Sequence, residues 1–94
     1  MFPTKRYVTA RIHDEVPLMV EAFMWSCINT MPGEVDYLQI FELSEDNGWQ
    51  RVVHIQEVPA YHREYLIPCD QPLIAKIFVI DDGEHATMLF AEEY

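Results

Sequence analysis

Four side chains of this sequence could bind a ligand or transfer a proton: His54, Glu57, His62 and His85. Imidazole and carboxylate groups serve as zinc ligands and as general acids and bases. On a regular strand, however, residues three apart point to opposite faces, so His54 and Glu57 do not readily share one ion. A ligand-binding domain or an enzyme would need these groups to converge around one pocket, so they form only a weak candidate site.

A second group of candidate ligands crowds one turn, at Asp81, Asp82, Glu84 and His85. A dedicated calcium loop spreads alternating carboxylates over about twelve residues, and this segment is too short for that pattern. Asp82-Gly83 is typical of a hairpin turn, which needs no ion. We therefore predict a turn with at most loose cation binding.

Nucleophilic chemistry has poor candidates. Cys27 lies on the apolar side of a predicted helix, and Cys69 precedes Asp70, whose negative charge works against thiolate formation. The chain has only 3 glycines, two of them in predicted turns, which is too few for a glycine-rich phosphate-binding loop. The sequence therefore assigns no catalytic residue, no metal site and no cofactor, and both cysteines are predicted to be free thiols.

The charge balance disfavours two classes of partner. The sequence has 16 acidic and 6 basic residues, a formal net charge of −10. Such a charge repels phosphate backbones and anionic lipids, so direct binding to nucleic acid or membranes is disfavoured. Acidic residues gathered on one face could instead imitate nucleic-acid phosphates and occupy a DNA-binding protein.

These residues must be positioned by one helix and several strands. The helix is predicted from Val16 to Met31, since Pro17 suits a first helical turn and Pro32-Gly33 ends a helix. The strands are predicted at Arg6 to Ile12, Val35 to Ser44, Trp49 to Val58, Tyr61 to Ile67, Leu73 to Ile80 and Ala86 to Ala91. The order β-α-β-β-β-β-β predicts an α+β fold, with one main helix packed on a mostly antiparallel sheet of about five to six strands.

Local signals refine this sheet. Asp46-Asn47-Gly48 has the positive-φ residues of a tight hairpin turn. Tyr61 to Ile67 is bounded by Pro68 and Pro72, which confines that strand to an edge or to the end of a sheet. Leu73 to Ile80 is apolar on both parities apart from Lys76, which is expected of a central strand covered on both faces.

The predicted helix has two sides of different character. The residues expected to pack on the sheet are Val16, Met19, Val20, Phe23, Met24, Cys27, Ile28 and Met31. The opposite side carries a single charge, at Glu21, and presents Leu18 and Trp25 seven residues apart. A monomer would not be expected to leave such a side facing water, so Leu18 and Trp25 are a predicted interface. The alternative is that the segment around Phe2, or the loop after Pro59, folds back over it.

The whole chain, residues 1–94, is predicted to form a single compact domain. A chain of this size should bury roughly 60–65 % of its unfolded surface, so an apolar face left uncovered would be informative. Met1 to Arg11 contains no apolar run or cleavage pattern of a signal peptide, which predicts a cytoplasmic location.

Several strings along the chain resemble domain-of-unknown-function family 960, small acidic proteins of Gram-positive bacteria. They are Lys5 to Thr9, Asp36 to Leu43, His54 to Glu57 with Pro59 and Tyr61, Ala75 to Gly83, and Ala91 to Tyr94. The resemblance covers essentially the whole chain and matches least well over Met19 to Gly33. It implies a compact standalone domain and no particular reaction, cofactor or catalytic residue.

The leading hypothesis is a non-enzymatic cytoplasmic protein-interaction module that self-associates or docks on a larger protein partner. It is motivated by the lack of a catalytic constellation, the sparsely charged helix side and the large negative charge. The alternative is a small ligand-binding domain or enzyme using His54, Glu57, His62 or His85. A lesser alternative is the acidic nucleic-acid mimic.

Overall fold

The computed structural model describes residue 2 and residues 4–94. Its elements are β1 (Arg6–Val8), α1 (Ala10–Glu15), α2 (Leu18–Asn29), β2 (Leu38–Asp46), β3 (Trp49–Gln56), β4 (Tyr61–Pro68), β5 (Ala75–Asp81) and β6 (Ala86–Phe90), followed by a short 3-10 helix, Ala91–Glu93. The predicted α+β class, with one main helix and a mostly antiparallel sheet, is confirmed. No helix in this described part of the chain is long and apolar enough to cross a membrane.

The strands form one sheet in the order β1-β6-β5-β2-β3-β4. β1 runs parallel to β6, and the other neighbouring strands are antiparallel. As predicted, β4 lies at an edge and β5 in the interior of the sheet. The turn between β2 and β3 is also as predicted, since Asn47 and Gly48 have φ angles of 51° and 84°.

Both helices pack on the same face of this sheet, which we call the inner face. The core there joins Ile12 of α1 and Val20 and Met24 of α2 to strand residues such as Phe41 and Ile77. The opposite face, which we call the outer face, takes the side chains of the other parity. No helix of the described chain packs on it, which differs from the prediction that β5 is covered on both faces.

The first strand is shorter than predicted. It ends at Val8 instead of reaching Ile12, because Thr9 caps α1, a helix that was not predicted from the sequence. The Thr9 hydroxyl accepts a hydrogen bond from the Ile12 N–H over 3.3 Å, and the Thr9 carbonyl accepts one from the His13 N–H over 3.0 Å. Threonine is a favoured N-cap, and the helical turn points Ile12 into the core.

The main helix is also shorter than predicted, running from Leu18 to Asn29. Its buried stripe is Val20, Met24, Cys27 and Ile28. Met19 was expected in this stripe but is 52 % exposed. At about 100° per residue it lies on the flank of the stripe, beyond the edge of the contact with the sheet.

Candidate functional site

The four residues of the weak candidate site lie in different surroundings. His54 is fully buried on the inner side of β3, whereas His62 lies on the exposed outer side of β4. Glu57 is exposed in the turn between these strands, and His85 lies in the turn between β5 and β6, edge-on to Tyr7. The structure therefore does not gather these side chains around one pocket.

His54 belongs to a buried network of hydrogen bonds. The amide nitrogen of Gln39 donates to the Asp36 carbonyl over 3.0 Å and to Gln56 Oε1 over 2.8 Å. Gln39 Oε1 is therefore an acceptor, and His54 Nε2, 2.7 Å away, must carry the proton. The imidazole stacks on Phe41 at 4.4 Å, and its Nδ1 has no hydrogen-bond partner in the described chain.

Burial lowers the pKa of His54 to about 4. The imidazole is accordingly neutral near pH 7, because the cost of desolvation falls on its charged form. A buried neutral ring without access to solvent cannot readily exchange protons with a substrate. His54 is therefore a structural residue of the inner face.

Gln56 attaches two loops to this network. Its amide nitrogen donates to the carbonyls of Glu34 and Pro59, over 3.2 Å and 2.8 Å, and its Oε1 accepts from the Asp36 N–H over 2.6 Å. Gln39 and Gln56 were not singled out from the sequence. The available signal was their strand parity, which they share with Phe41 and His54 on the inner face.

In the acidic turn after β5, carboxylate oxygens accept hydrogen bonds from backbone N–H groups. Asp82 Oδ1 accepts hydrogen bonds from the N–H groups of Glu84 and His85, over 3.0 Å and 2.9 Å, and Asp81 Oδ1 accepts one from Gly83 N–H over 2.7 Å. The bonds from the N–H groups of His85 and Glu84 lower the pKa of Asp82. Over residue 2 and residues 4–94, no three histidine, cysteine, aspartate or glutamate side chains cluster as metal ligands.

Cys27 is a poor nucleophile in this structure. Its side chain is buried in the core, and desolvation raises the pKa of the thiol to about 11. The thiolate is thus a negligible fraction near pH 7. Cys27 and Cys69 are both free.

A cleft of about 770 Å³ opens between the C-terminal end of α2, the following loop and the β3–β4 turn. Its lining includes none of the four weak candidate residues. The Arg6 guanidinium at this cleft donates to Asn29 Oδ1 over 2.7 Å and lies 4.9 Å from the centre of the Trp25 ring. Through these two contacts, Arg6 connects β1 to α2.

Leu18 and Trp25 do not form one exposed line on the helix. Leu18 is 77 % exposed, next to the exposed Met19. Trp25 instead packs against the core of its own chain, with Arg6 over its ring. The exposed apolar part of this helix side is therefore limited to its N-terminal end.

The outer face of the sheet carries six apolar side chains that are cross-strand neighbours. Four form a row across β6, β5, β2 and β3, and two form a second row across β5 and β2. We call them the outer patch: Leu89, Phe78, Ile40 and Ile55 in the first row, and Ile80 and Leu38 in the second. Ile40 at its centre is 8 % exposed, and the other five are partly exposed.

Three further aromatic residues lie on the same face of the sheet, two of them near this patch and one, Trp49, at the opposite end of β3 from Ile55. Tyr7 of β1 is 55 % exposed, and Trp49 at the start of β3 is also exposed. The exposed Tyr94 ring meets Phe78 edge-on at 6.0 Å. Aromatic side chains with a polar end are common at protein contacts, since one end can be buried while the other stays wet.

Charges on the outer face occur in opposite pairs. Glu42 of β2 lies opposite Lys76 of β5, and Arg51 of β3 forms an ion pair with Glu64 of β4, which lowers the pKa of Glu64. These two pairs sum to zero formal charge, in a chain of net charge −10. Asp46, beside the hairpin turn, lies at the rim. The outer face is therefore apolar and nearly neutral, unlike the rest of the molecule.

Comparison with known proteins supplies a family and a fold. Residues 5–93 match the family model described as staphylococcal protein of unknown function (DUF960). A crystal structure of a protein of unknown function from Enterococcus faecalis is similar, with a TM-score of 0.86 and 23 % sequence identity, over 96 % of this chain and 90 % of that one. No curated protein matches the sequence.

Proposed function

The chain belongs to the DUF960 family of staphylococcal proteins of unknown function, and we propose that it is a non-enzymatic protein-interaction module whose contact surface is the outer face. The observation that carries this proposal is the outer patch. β2 and β5 have apolar side chains on both parities, a pattern of strands covered on both faces. Within the described chain, the helices cover only the inner face. A protein partner would supply the missing cover.

The form of the surface favours a protein over a small molecule. Small ligands bind in concave sites with a few convergent polar groups. The outer patch instead extends across four strands, about 14 Å at three spacings of about 4.8 Å, and a broad apolar centre with a polar rim is typical of protein interfaces. Because His54, His62 and His85 lie apart from one another, no comparable observation supports an enzymatic reaction.

The free state of Cys27 and Cys69 supports a reducing compartment such as the cytoplasm. Leu18 and Met19 at the start of α2 offer a second, smaller apolar contact. Contact with a partner there stays a separate proposal, because those two side chains are not continuous with the outer patch.

Photo-crosslinking in cells tests the proposed surface. Tyr7 and Tyr94 on the outer face are each replaced by p-benzoylphenylalanine, an aromatic-for-aromatic change that leaves the patch intact. The matched control is Tyr37 at the cleft, which is 59 % exposed, close to the 55 % of Tyr7. We expect a discrete cross-linked protein from Tyr7 and Tyr94 and little from Tyr37. Equal yields at all three positions, or no product from Tyr7 and Tyr94 in a folded chain, would overturn the proposal.

A further inference from the structure

The distribution of charged residues bears on which partner the outer face would bind, a basic protein or another apolar face with paired charges. The outer face carries the acids Glu42, Asp46 and Glu64 and the bases Arg51 and Lys76. With these set aside, the totals of 16 acidic and 6 basic residues leave 13 and 4 for the rest of the chain. A basic partner attracted by charge would therefore gain most on those other surfaces. An apolar face with paired charges is better suited to another surface of the same kind.

We propose that the occupant of the outer face is a second copy of this chain, packed sheet to sheet about a twofold axis. This inference rests on the proposed function. In a twofold interface the same patch meets itself, so each charged residue lies near the symmetry-related set. A face with net negative charge would repel its copy, whereas the pairs Glu42–Lys76 and Arg51–Glu64 leave little net charge to repel.

Such a dimer has a regular architecture. Two sheets pack face to face about 10 Å apart with their strands rotated by about 30°, and apolar side chains interdigitate between them. Phe78 and Leu89 of one copy would then pack against the outer patch of the other. The helices would remain on the outside, which gives four layers in the order helix, sheet, sheet, helix.

The available area is sufficient. The six strands contain 40 residues in all, from three in β1 to nine in β2. At about 4.8 Å between strands and about 3.3 Å per residue, they make a face of roughly 600 Å² per copy. Stable interfaces begin at about 600 Å² per partner. Area alone does not set affinity, and interfaces near the lower limit of size include weak complexes, so a micromolar dissociation constant is the affinity to be tested.

The test is the molar mass of the purified chain, measured by sedimentation equilibrium over a concentration series from about 1 to about 500 µM, which brackets that affinity. We expect the mass to rise from one copy to two. Phe78→Glu and Ile55→Glu should each weaken the dimer by about 100-fold or more, because each buries a new charge. The matched control, Val58→Glu, places the same charge at the cleft, on a side chain that is 74 % exposed, and should leave the dimer unchanged.

Isotope-filtered NMR on the unmodified dimer provides a readout that does not depend on the folding of a variant. Half of the copies are labelled, and contacts between copies should involve Phe78, Leu89 and Ile40. A chain that stays monomeric throughout the series, a dimer that Val58→Glu abolishes, or intermolecular contacts confined to helix residues would each overturn the inference. If the chain is a monomer but Tyr7 and Tyr94 still cross-link to a different protein in cells, only the second-copy inference fails and the proposed function stands.

Discussion

His54 Nε2 donates a hydrogen bond to Gln39 Oε1 over 2.7 Å, and both side chains are fully buried between the sheet and the loops that cover it. Protonation of His54 at Nδ1 would place an uncompensated charge in this environment, because that atom has no partner in the described chain. The hydrogen-bond network therefore accommodates only the neutral form of the His54 imidazole.

The free energy of unfolding should decrease as the pH falls from 6.5 towards 4. Over that range His54 binds a proton in the unfolded chain but not in the folded one. The pKa of His54 is about 4 in the folded state, against 6.5 in the unfolded state. The contribution of neutral His54 to the free energy of unfolding is complete above pH 6.5 and is lost as the pH falls towards 4. The loss amounts to about 2 kcal/mol at pH 5. Urea midpoints at pH 7.5 and pH 5 measure the change. Folded variants of His54 should lose most of this pH dependence, whereas His62→Gln should keep it.

Gln56→Ala should destabilise the fold by about 2–3 kcal/mol. The substitution removes hydrogen bonds to the Glu34 and Pro59 carbonyls and leaves the Asp36 N–H without its acceptor. Denaturant unfolding measures the loss, and amide exchange at Asp36 should accelerate in parallel. The exposed Gln71 supplies the matched control, Gln71→Ala, which should change stability by less than about 0.5 kcal/mol. Equal effects of the two substitutions would contradict the assigned network.

Gly48→Val should cost about 1–3 kcal/mol, because a β-branched residue is strained at a φ of 84°. No atom of the described residues, apart from the adjacent ones, lies within 4 Å of the position of an added Cβ, so the loss would come from the backbone and not from a clash. Thermal or urea unfolding provides the measurement. Glu45→Val, at an exposed position of the same hairpin, is the control for the change in side-chain type. An unchanged midpoint for Gly48→Val would show that the turn relaxes.

Trp25 and Leu18 should respond differently to truncation. Trp25→Ser removes a ring that packs against the core and beneath Arg6, and should cost about 2–3 kcal/mol. Leu18→Ser affects a side chain that is 77 % exposed and should change stability by less than about 0.5 kcal/mol. Chemical denaturation of the two single variants decides this. If Leu18→Ser weakens binding to a cross-linked cellular partner, the small contact at the start of α2 is real.

Much of the sheet could be predicted from the sequence because its signals are local. Asn47-Gly48 specifies the β2–β3 turn, and prolines around Tyr61 to Ile67 indicate an edge strand. The capping of α1 was missed because Thr9 follows β-favouring residues, and apolar alternation there masks a helix start. Capping depends on one hydroxyl in the right geometry, which a pattern of residue types does not determine.

The site was harder to predict than the fold. His54 was considered for chemistry, but its role is set by Gln39, a residue 15 positions away that reaches it only after β2 and β3 pair. The apolar residues of both parities in β5 correctly indicated a central strand. They could not show that only one of its faces is covered within the chain, because covering depends on where the helices pack.

The neighbouring positions of β1 and β6 constrain the order in which the chain can fold as it is synthesised. Thr9 donates a hydrogen bond to Glu93 Oε1 over 2.8 Å, across 84 positions of sequence. A ribosome therefore makes β1 and α1 long before their partners emerge, whereas β2, β3 and β4 can form adjacent hairpins at once. β1 precedes the other five strands in chain order, yet it can pair only after β6, the last of the six, has been translated.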